Sequence, residues 1–134
     1  MYLLDTNILL ELLLNQEKAD DVEKLLRETE QERLFVSDFS LGSIGVILFR
    51  RKMHGLYLRA IDDLFINGGI RLVRLDAIDM QKVLTSSKKF SLDYDDSYQY
   101  SIAEKYNLIL VSYDHDFDRT SRGRLNPANL LRRN

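Results

Sequence analysis

Four short apolar runs in this chain each lead into an aspartate, and stretches of helical spacing separate them. Tyr2-Leu3-Leu4 meets Asp5, Phe35-Val36-Ser37 meets Asp38, Leu72-Val73-Arg74-Leu75 meets Asp76, and Leu108 to Val111 runs towards Asp114. Parallel strands need a crossover connection, so strands that alternate with helices build a parallel sheet with helices on both faces. The expected architecture is a three-layer α/β/α fold with a central, mainly parallel sheet of about four to five strands. All strand carboxyl ends then lie on one edge, where such folds bind ligands. Carboxylates gathered there repel: two about 5 Å apart, at an effective dielectric of about 20, do so by roughly 3 kcal/mol. A divalent cation between them removes that cost, so the pattern points to a metal site and to phosphate chemistry.

The spacing of Ile8, Leu9, Leu12 and Leu13 predicts a helix after Asp5, and Val22, Leu25 and Leu26 predict a second from Lys18 to Gln31. Asp38 is expected to cap a helix reaching Lys52, which Gly55 ends. Tyr57 to Ile66 forms another helix, broken by Asn67-Gly68-Gly69. Arg71 to Leu75 is the third strand, Asp76 caps a helix to Phe90, and Asp95 to Tyr106 is a further helix stopped by Asn107. Leu108 to Val111 is apolar throughout, as in a strand buried on both faces. Pro127 suits the first turn of a closing helix.

At 134 residues, a single domain over 1–134 is expected. The chain has no cysteine, which excludes thiol nucleophiles, zinc–thiolate sites and disulfides. Asp5 and Glu11 interrupt the apolar opening stretch and no basic region precedes it, so it fails as a signal peptide. No window approaches bilayer length, and the cytoplasm is the expected location. A net charge of −2 argues against indiscriminate nucleic-acid binding, but the charges are unevenly placed. Residues 93–118 hold seven acids against one lysine, and residues 119–134 hold five arginines and no acid. A further basic run is Arg50-Arg51-Lys52. An acidic pocket beside basic surface suits a polyanion whose scissile phosphate reaches a metal. Arg119, Arg122 and Arg124 are the candidate phosphate contacts.

Asp5, Asp96 and Asp114, from two strand ends and one helix start, are the acids expected to converge. Thr6 and Asn7 can orient Asp5, and Ser112, between the last strand and Asp114, is grouped with them as a supporting residue. Asp96 has Gln99, Tyr100 and Ala103 at i+3, i+4 and i+7, an inward face. Asp95, on the side of Tyr98 and Ile102, is a weaker rival, and Asp93 reads as a loop or supporting acid. Asp116 is an auxiliary ligand, whereas Asp38 and Asp76 are assigned to capping. Ligation by oxygen alone favours Mg²⁺ or Mn²⁺ over zinc. The chemistry that follows is metal-assisted hydrolysis.

These residues resemble the PIN-domain family of metal-dependent ribonucleases, whose small members include the VapC-type toxins of toxin–antitoxin pairs. Asp5-Thr6-Asn7 is similar to the family's opening motif, and Asp96 with Ala103 to its third acid. Ile109 to Phe117 is similar to its closing strand with a Thr/Ser-x-Asp-x-Asp-Phe ending. The resemblance implies an endoribonuclease, a homodimer and an antitoxin able to cover the acidic groove. One departure stands out. The family usually carries a glutamate on the helix after the second strand, where this chain has Ser43 or Gly45, and no acid occurs between Asp38 and Asp62. Either Asp38, Asp93, Asp95 or Asp116 takes its place, or the site is weakened to slow catalysis or to a module that binds RNA or protein without cutting. Gly42, Ser43 and Gly45 alternatively line a close helix contact, internal or between two copies.

Other chemistries fit worse. Asn7 stands where a haloacid-dehalogenase-like phosphatase needs its second aspartate, and Asp5 lacks the paired acid of a receiver domain. Gly42-Ser43-Ile44-Gly45 lacks nucleophile-elbow spacing, and Gly68-Gly69 lacks a P-loop lysine. His54 and His115 are isolated in the sequence.

Overall fold

In the computed structural model, which describes residues 1–133, the four strands form one parallel sheet in the order β3-β2-β1-β4. They are β1 (Tyr2–Leu4), β2 (Leu34–Ser37), β3 (Arg71–Val73) and β4 (Ile109–Val111). The registers are parallel throughout, with Leu3 opposite both Phe35 and Leu110, and Val36 opposite Leu72. From β1 the chain moves outward to β2 and β3, then returns to place β4 on the other side of β1. The order reverses between β1 and β4, which opens a crevice beyond their carboxyl ends.

Alternation along these strands divides the core between two faces. Tyr2, Leu4, Leu34, Val36 and Val111 pack on one side with Ile8, Val22, Leu25, Ile44, Leu48 and Leu130. The helices on that side are α1 (Thr6–Leu13), α2 (Ala19–Glu28), α3 (Asp38–Arg50) and α7 (Pro127–Arg133). Leu3, Phe35 and Leu110 face the opposite way, against Val83, Tyr98, Ile102 and Phe117. The helices there are α5 (Met80–Phe90) and α6 (Tyr94–Tyr106). Although β4 lies at the end of the sheet, its outer edge is not free. Leu125 bridges in parallel to Val111, its N–H donating to Leu110 O and its carbonyl accepting from Ser112 N. That bridge covers part of the β4 edge, and Leu108 to Val111 is apolar without a break because its side chains meet cores on both faces of the sheet.

Three local readings need correction. Ser37, not Asp38, caps α3: its Oγ accepts from Ser40 N, and Asp38 is the first helical residue. Gly55 does not end that helix. The chain leaves α3 at Arg50, Lys52 turns it with φ 57°, and Gly55 falls inside the first turn of α4 (His54–Ala60). A π-helical stretch, Ile61–Ile66, prolongs α4. At its end Gly68 is required, because a Cβ there would lie 2.5 Å from Leu64 O and 2.6 Å from Asp63 O. The helix expected from Lys18 to Gln31 is shorter, Glu28 being its last residue, with Gln31–Arg33 a separate 3-10 turn. Asp76 does cap as expected, in a reciprocal box with Asp79 ahead of α5.

Helix α6 carries the site. Asp93 caps it by accepting from Asp96 N at 3.0 Å, and Asn107 ends it in the left-handed region at φ 53°. Residues from Ser97 to Ala103 are all buried, so this helix runs through the interior on several faces. Ser97, Gln99 and Ser101 are therefore buried polar residues.

Candidate metal centre

Asp5 leaves β1 at the order reversal and caps α1, donating nothing and accepting from four groups. Oδ1 accepts from Thr6 N at 2.8 Å and Gln99 Nε2 at 2.9 Å. Oδ2 accepts from Ser112 Oγ at 2.7 Å and Asn7 Nδ2 at 3.4 Å. These donors hold its orientation, and only 6% of the residue is exposed. Burial nevertheless pushes its pKa up, outweighing the hydrogen bonds from Ser112, Gln99 and Thr6, with Asp114 adding repulsion.

The loop after β4 is tied to the same point. Ser112 Oγ accepts from Asp114 N at 2.9 Å while donating to Asp5, and Asn7 Oδ1 accepts from Tyr113 N at 3.2 Å. Asp114 Oδ1 accepts from Asp116 N at 2.9 Å. Asp96, in the first turn of α6, comes in from across the crevice. Asp96, Asp114 and Asp116 each bring one carboxylate oxygen to within 4.8 Å of the others. Asp5, Asp95, Asp96 and Asp114 line one cleft of about 450 Å³, walled opposite by Phe39, Ser43 and Val46.

Crowding is visible in Asp96. Its carboxyl is pushed up to about 7 by burial first, then by Asp114, Asp93, Asp5 and Asp116. One member is partly compensated, since Asp116 pairs with Arg119 at 2.9 Å. A set of convergent oxygen donors with too little positive charge among them fits a hard divalent cation such as Mg²⁺ or Mn²⁺, and offers no sulfur or imidazole for zinc. Asp96, Asp114 and Asp116 are placed to hold such an ion, with Asp5 beside them.

The structure separates the other sequence candidates. Ser43 lines the cleft, whereas a Cβ on Gly45 would lie 3.2 Å from the Tyr57 ring on α4. Of the two, Ser43 thus faces the acids, and Gly45 serves an internal helix contact. Asp38 lies outside the cluster and accepts from Tyr98 Oη at 2.8 Å. Asp93 is the α6 cap, and Asp95 lines the cleft without joining the triplet. The three arginines are engaged by the chain itself. Arg119 donates to Phe90 O and Ser91 O, and Arg122 to Asn107 Oδ1 and Leu108 O. Arg124 bonds Asp118 and Ser112 O, with its side chain 10% exposed.

One residue of the site was not expected. Gln99 donates to Asp5 Oδ1 and to Ser40 Oγ, both at 2.9 Å, and accepts from Ser37 Oγ at 2.6 Å. Thr6 Oγ1 donates to Ser40 Oγ at 2.8 Å and closes the network. A buried glutamine three residues after Asp96 on the inward face was the available signal.

A family model described as PIN domain matches residues 2–123. The chain belongs to the PIN-domain family. The PIN fold recurs in solved structures of low sequence identity. A toxin–antitoxin complex from Klebsiella pneumoniae superposes with a TM-score of 0.75 at 19% identity, covering 95% of this chain and 98% of that one. Mycobacterium tuberculosis VapC20, a sarcin–ricin-loop-cleaving toxin, gives a TM-score of 0.77 at 16% identity, covering 95% and 100%. FitAcB from Neisseria gonorrhoeae gives 0.78 at 20% identity, covering 96% and 99%. A search of curated proteins finds no match. As a PIN domain, the chain presents its acidic cluster at the sheet edge that its strand order opens. No helix among its described residues is long and apolar enough to cross a membrane.

Proposed function

We propose that this PIN domain is a Mg²⁺- or Mn²⁺-dependent endoribonuclease, acting in the cytoplasm as the toxin of a toxin–antitoxin pair. The observation that carries the reading is the meeting of Asp96, Asp114 and Asp116 within 4.8 Å beside the buried, fourfold-bonded Asp5. Asp96, Asp114 and Asp116 would hold the metal, with Asp5 completing the negative field. A bound divalent ion supplies an acidified water and neutralises charge on the phosphate under attack. The chain's own work is to fix these carboxylates before substrate arrives. Ser112 joins Asp5 to the Asp114 loop, Gln99 joins it to α6, and Thr6 and Asn7 hold it at β1. The open cleft admits a phosphodiester, while Phe39 and Val46 offer apolar surface to a base or ribose.

The proposed partners rest on the structural relatives, one of which is a toxin–antitoxin complex and another a toxin. An antitoxin segment covering the cleft is the proposed inhibitor, and a homodimer the proposed assembly; sizing of the chain with and without a co-expressed partner tests both.

Cleavage of single-stranded or structured RNA that needs Mg²⁺ or Mn²⁺ and is lost in Asp5→Asn and Asp114→Asn is the expected result. A second reading rests on Ser43, which places a hydroxyl where a further acid would strengthen the metal site. It makes the domain an RNA- or protein-binding module. RNA bound but left intact with either metal, with binding indifferent to Asp114→Asn, selects it. Turnover of phosphomonoesters regardless of polyanion length would instead indicate a small-molecule phosphatase.

A further inference from the structure

The sheet face that carries α5 and α6 bears a second hollow, of about 300 Å³, outside the metal cleft. Lys82 and Lys89 on α5 and Arg122 after the last strand supply three cations to its lining, against the single carboxylate of Glu104. The two lysines are seven residues apart on one helix face, a span of about 10 Å. Neither is ion-paired to a carboxylate among the described residues, and Lys89 lies over the Phe90 ring at 5.3 Å. Arg122 is held in place by Asn107 and Leu108 O.

Tyr100 is the independent observation. It lines the hollow, is 4% exposed and meets the Phe90 ring at 60° with 5.2 Å between ring centres. Its hydroxyl makes no hydrogen bond with any described residue and is not sealed from solvent, so it stays free to bond a group that enters the hollow. The hollow thus offers cations and an unused hydroxyl, groups that bind phosphate oxygens.

Its place relates it to the metal cleft. Tyr100 is four residues after Asp96 on α6, about 6 Å along the helix. Arg119 bridges the two sites, pairing with Asp116 and donating to Phe90 O and Ser91 O.

We propose that this hollow binds backbone phosphates of a single RNA strand whose neighbouring bond lies in the metal cleft. The inference rests on the nuclease reading, and adds to it a length-dependent grip on substrate. A free phosphate shares the chemistry, but two cations about 10 Å apart suit an extended strand.

The test measures anisotropy of labelled single-stranded RNAs of about 4 and about 12 nucleotides, with Asp114→Asn as background to prevent cleavage. The longer RNA is expected to bind more tightly. The double substitution Lys82→Gln with Lys89→Gln should remove that gain and lower the log–log salt slope by about 1.4, at about 0.7 for each phosphate contact. Tyr100→Phe should weaken the longer RNA about threefold. Lys24→Gln, on α2 across the sheet, should change nothing.

Wild-type affinity and salt slope in the double variant would sink the exosite, while metal-dependent cleavage by the unmutated chain would leave the nuclease reading intact. If inorganic phosphate raises the Tm of the parent chain but not of the double variant, and RNA binding is indifferent to the lysines, the hollow takes a small anion and the proposal is overturned. A chain that neither binds nor cuts RNA removes both readings.

Discussion

Asp96→Asn is expected to stabilise the metal-free protein, and to do so only above acidic pH. The folded-state carboxyl of Asp96 titrates near 7, against an ordinary 3.8, because it is half-buried among Asp114, Asp93, Asp5 and Asp116. At about 1.4 kcal/mol per tenfold change in affinity, the difference corresponds to about 4 kcal/mol. Solvent at this partly exposed position screens that to about 2 kcal/mol. Below pH of about 4, Asp96 is protonated in both folded and unfolded chains and costs nothing. Between about 4 and about 7 the unfolded chain has released a proton that the folded chain retains, so stability falls as pH rises. Above about 7 both forms are ionised and the whole penalty is present. Asparagine never ionises.

The variant's advantage should therefore grow from nothing near pH 4 to about 2 kcal/mol at pH 8, about 8 °C in Tm for a chain of this size. Calorimetry in chelator across that range measures it. Added Mn²⁺ should then close the gap, since an ion at about 100 times its Kd stabilises the unmutated chain by about 2.7 kcal/mol. A variant no more stable than the parent at pH 8, or an advantage that ignores pH, would refute the claim that these carboxylates strain against one another.

Gln99→Leu should destabilise the fold by about 2 kcal/mol in urea titrations, because it strips a donor from the buried Asp5 and leaves Ser37 and Ser40 short of a partner. Ser43→Glu should tighten Mn²⁺ binding in isothermal titration and lower metal-free stability at pH 8, because it adds a carboxylate to the cleft wall. Ser97→Ala should raise stability by about 1 kcal/mol by thermal melt, because Ser97 Oγ is buried without a hydrogen-bond partner.

What local sequence conveyed well was the position of elements, where one residue type satisfies one backbone demand. Asn107 was legible as a stop because asparagine tolerates the left-handed backbone found there at φ 53°. Asp5 was legible as a strand end because an apolar run cannot continue through it into a buried sheet. The errors occurred where several residues could meet the same demand. Ser37 and Asp38 are both good caps, and it is Ser37, the last residue of β2, that accepts from Ser40 N. Gly55 carries the usual mark of a helix end, but Lys52 accepted the left-handed turn and the glycine became part of the next helix.

The internal partners of the arginines were illegible for a related reason. Residues 119–134 contain no acid, so their cations looked unspent. Their acceptors are carbonyls at Phe90, Ser91, Leu108 and Ser112 and carboxylates at Asp116 and Asp118, most of them distant along the chain. Helix α6 was legible as a helix yet not as an interior one, because Ser97, Gln99 and Ser101 give it no apolar stripe.

By itself the order of residues determined an alternating α/β chain with acids at its strand ends, since periodicity and caps act within a few residues. Only the tertiary structure decided which acids share a cleft, that Ser43 rather than Gly45 faces them, and that Gln99 holds Asp5. Those outcomes depend on strand order and helix placement, which bring together groups up to 109 positions apart, such as Asp5 and Asp114. Carboxylate repulsion, hydrogen bonding and metal affinity act over a few ångströms, a distance that a linear pattern does not encode.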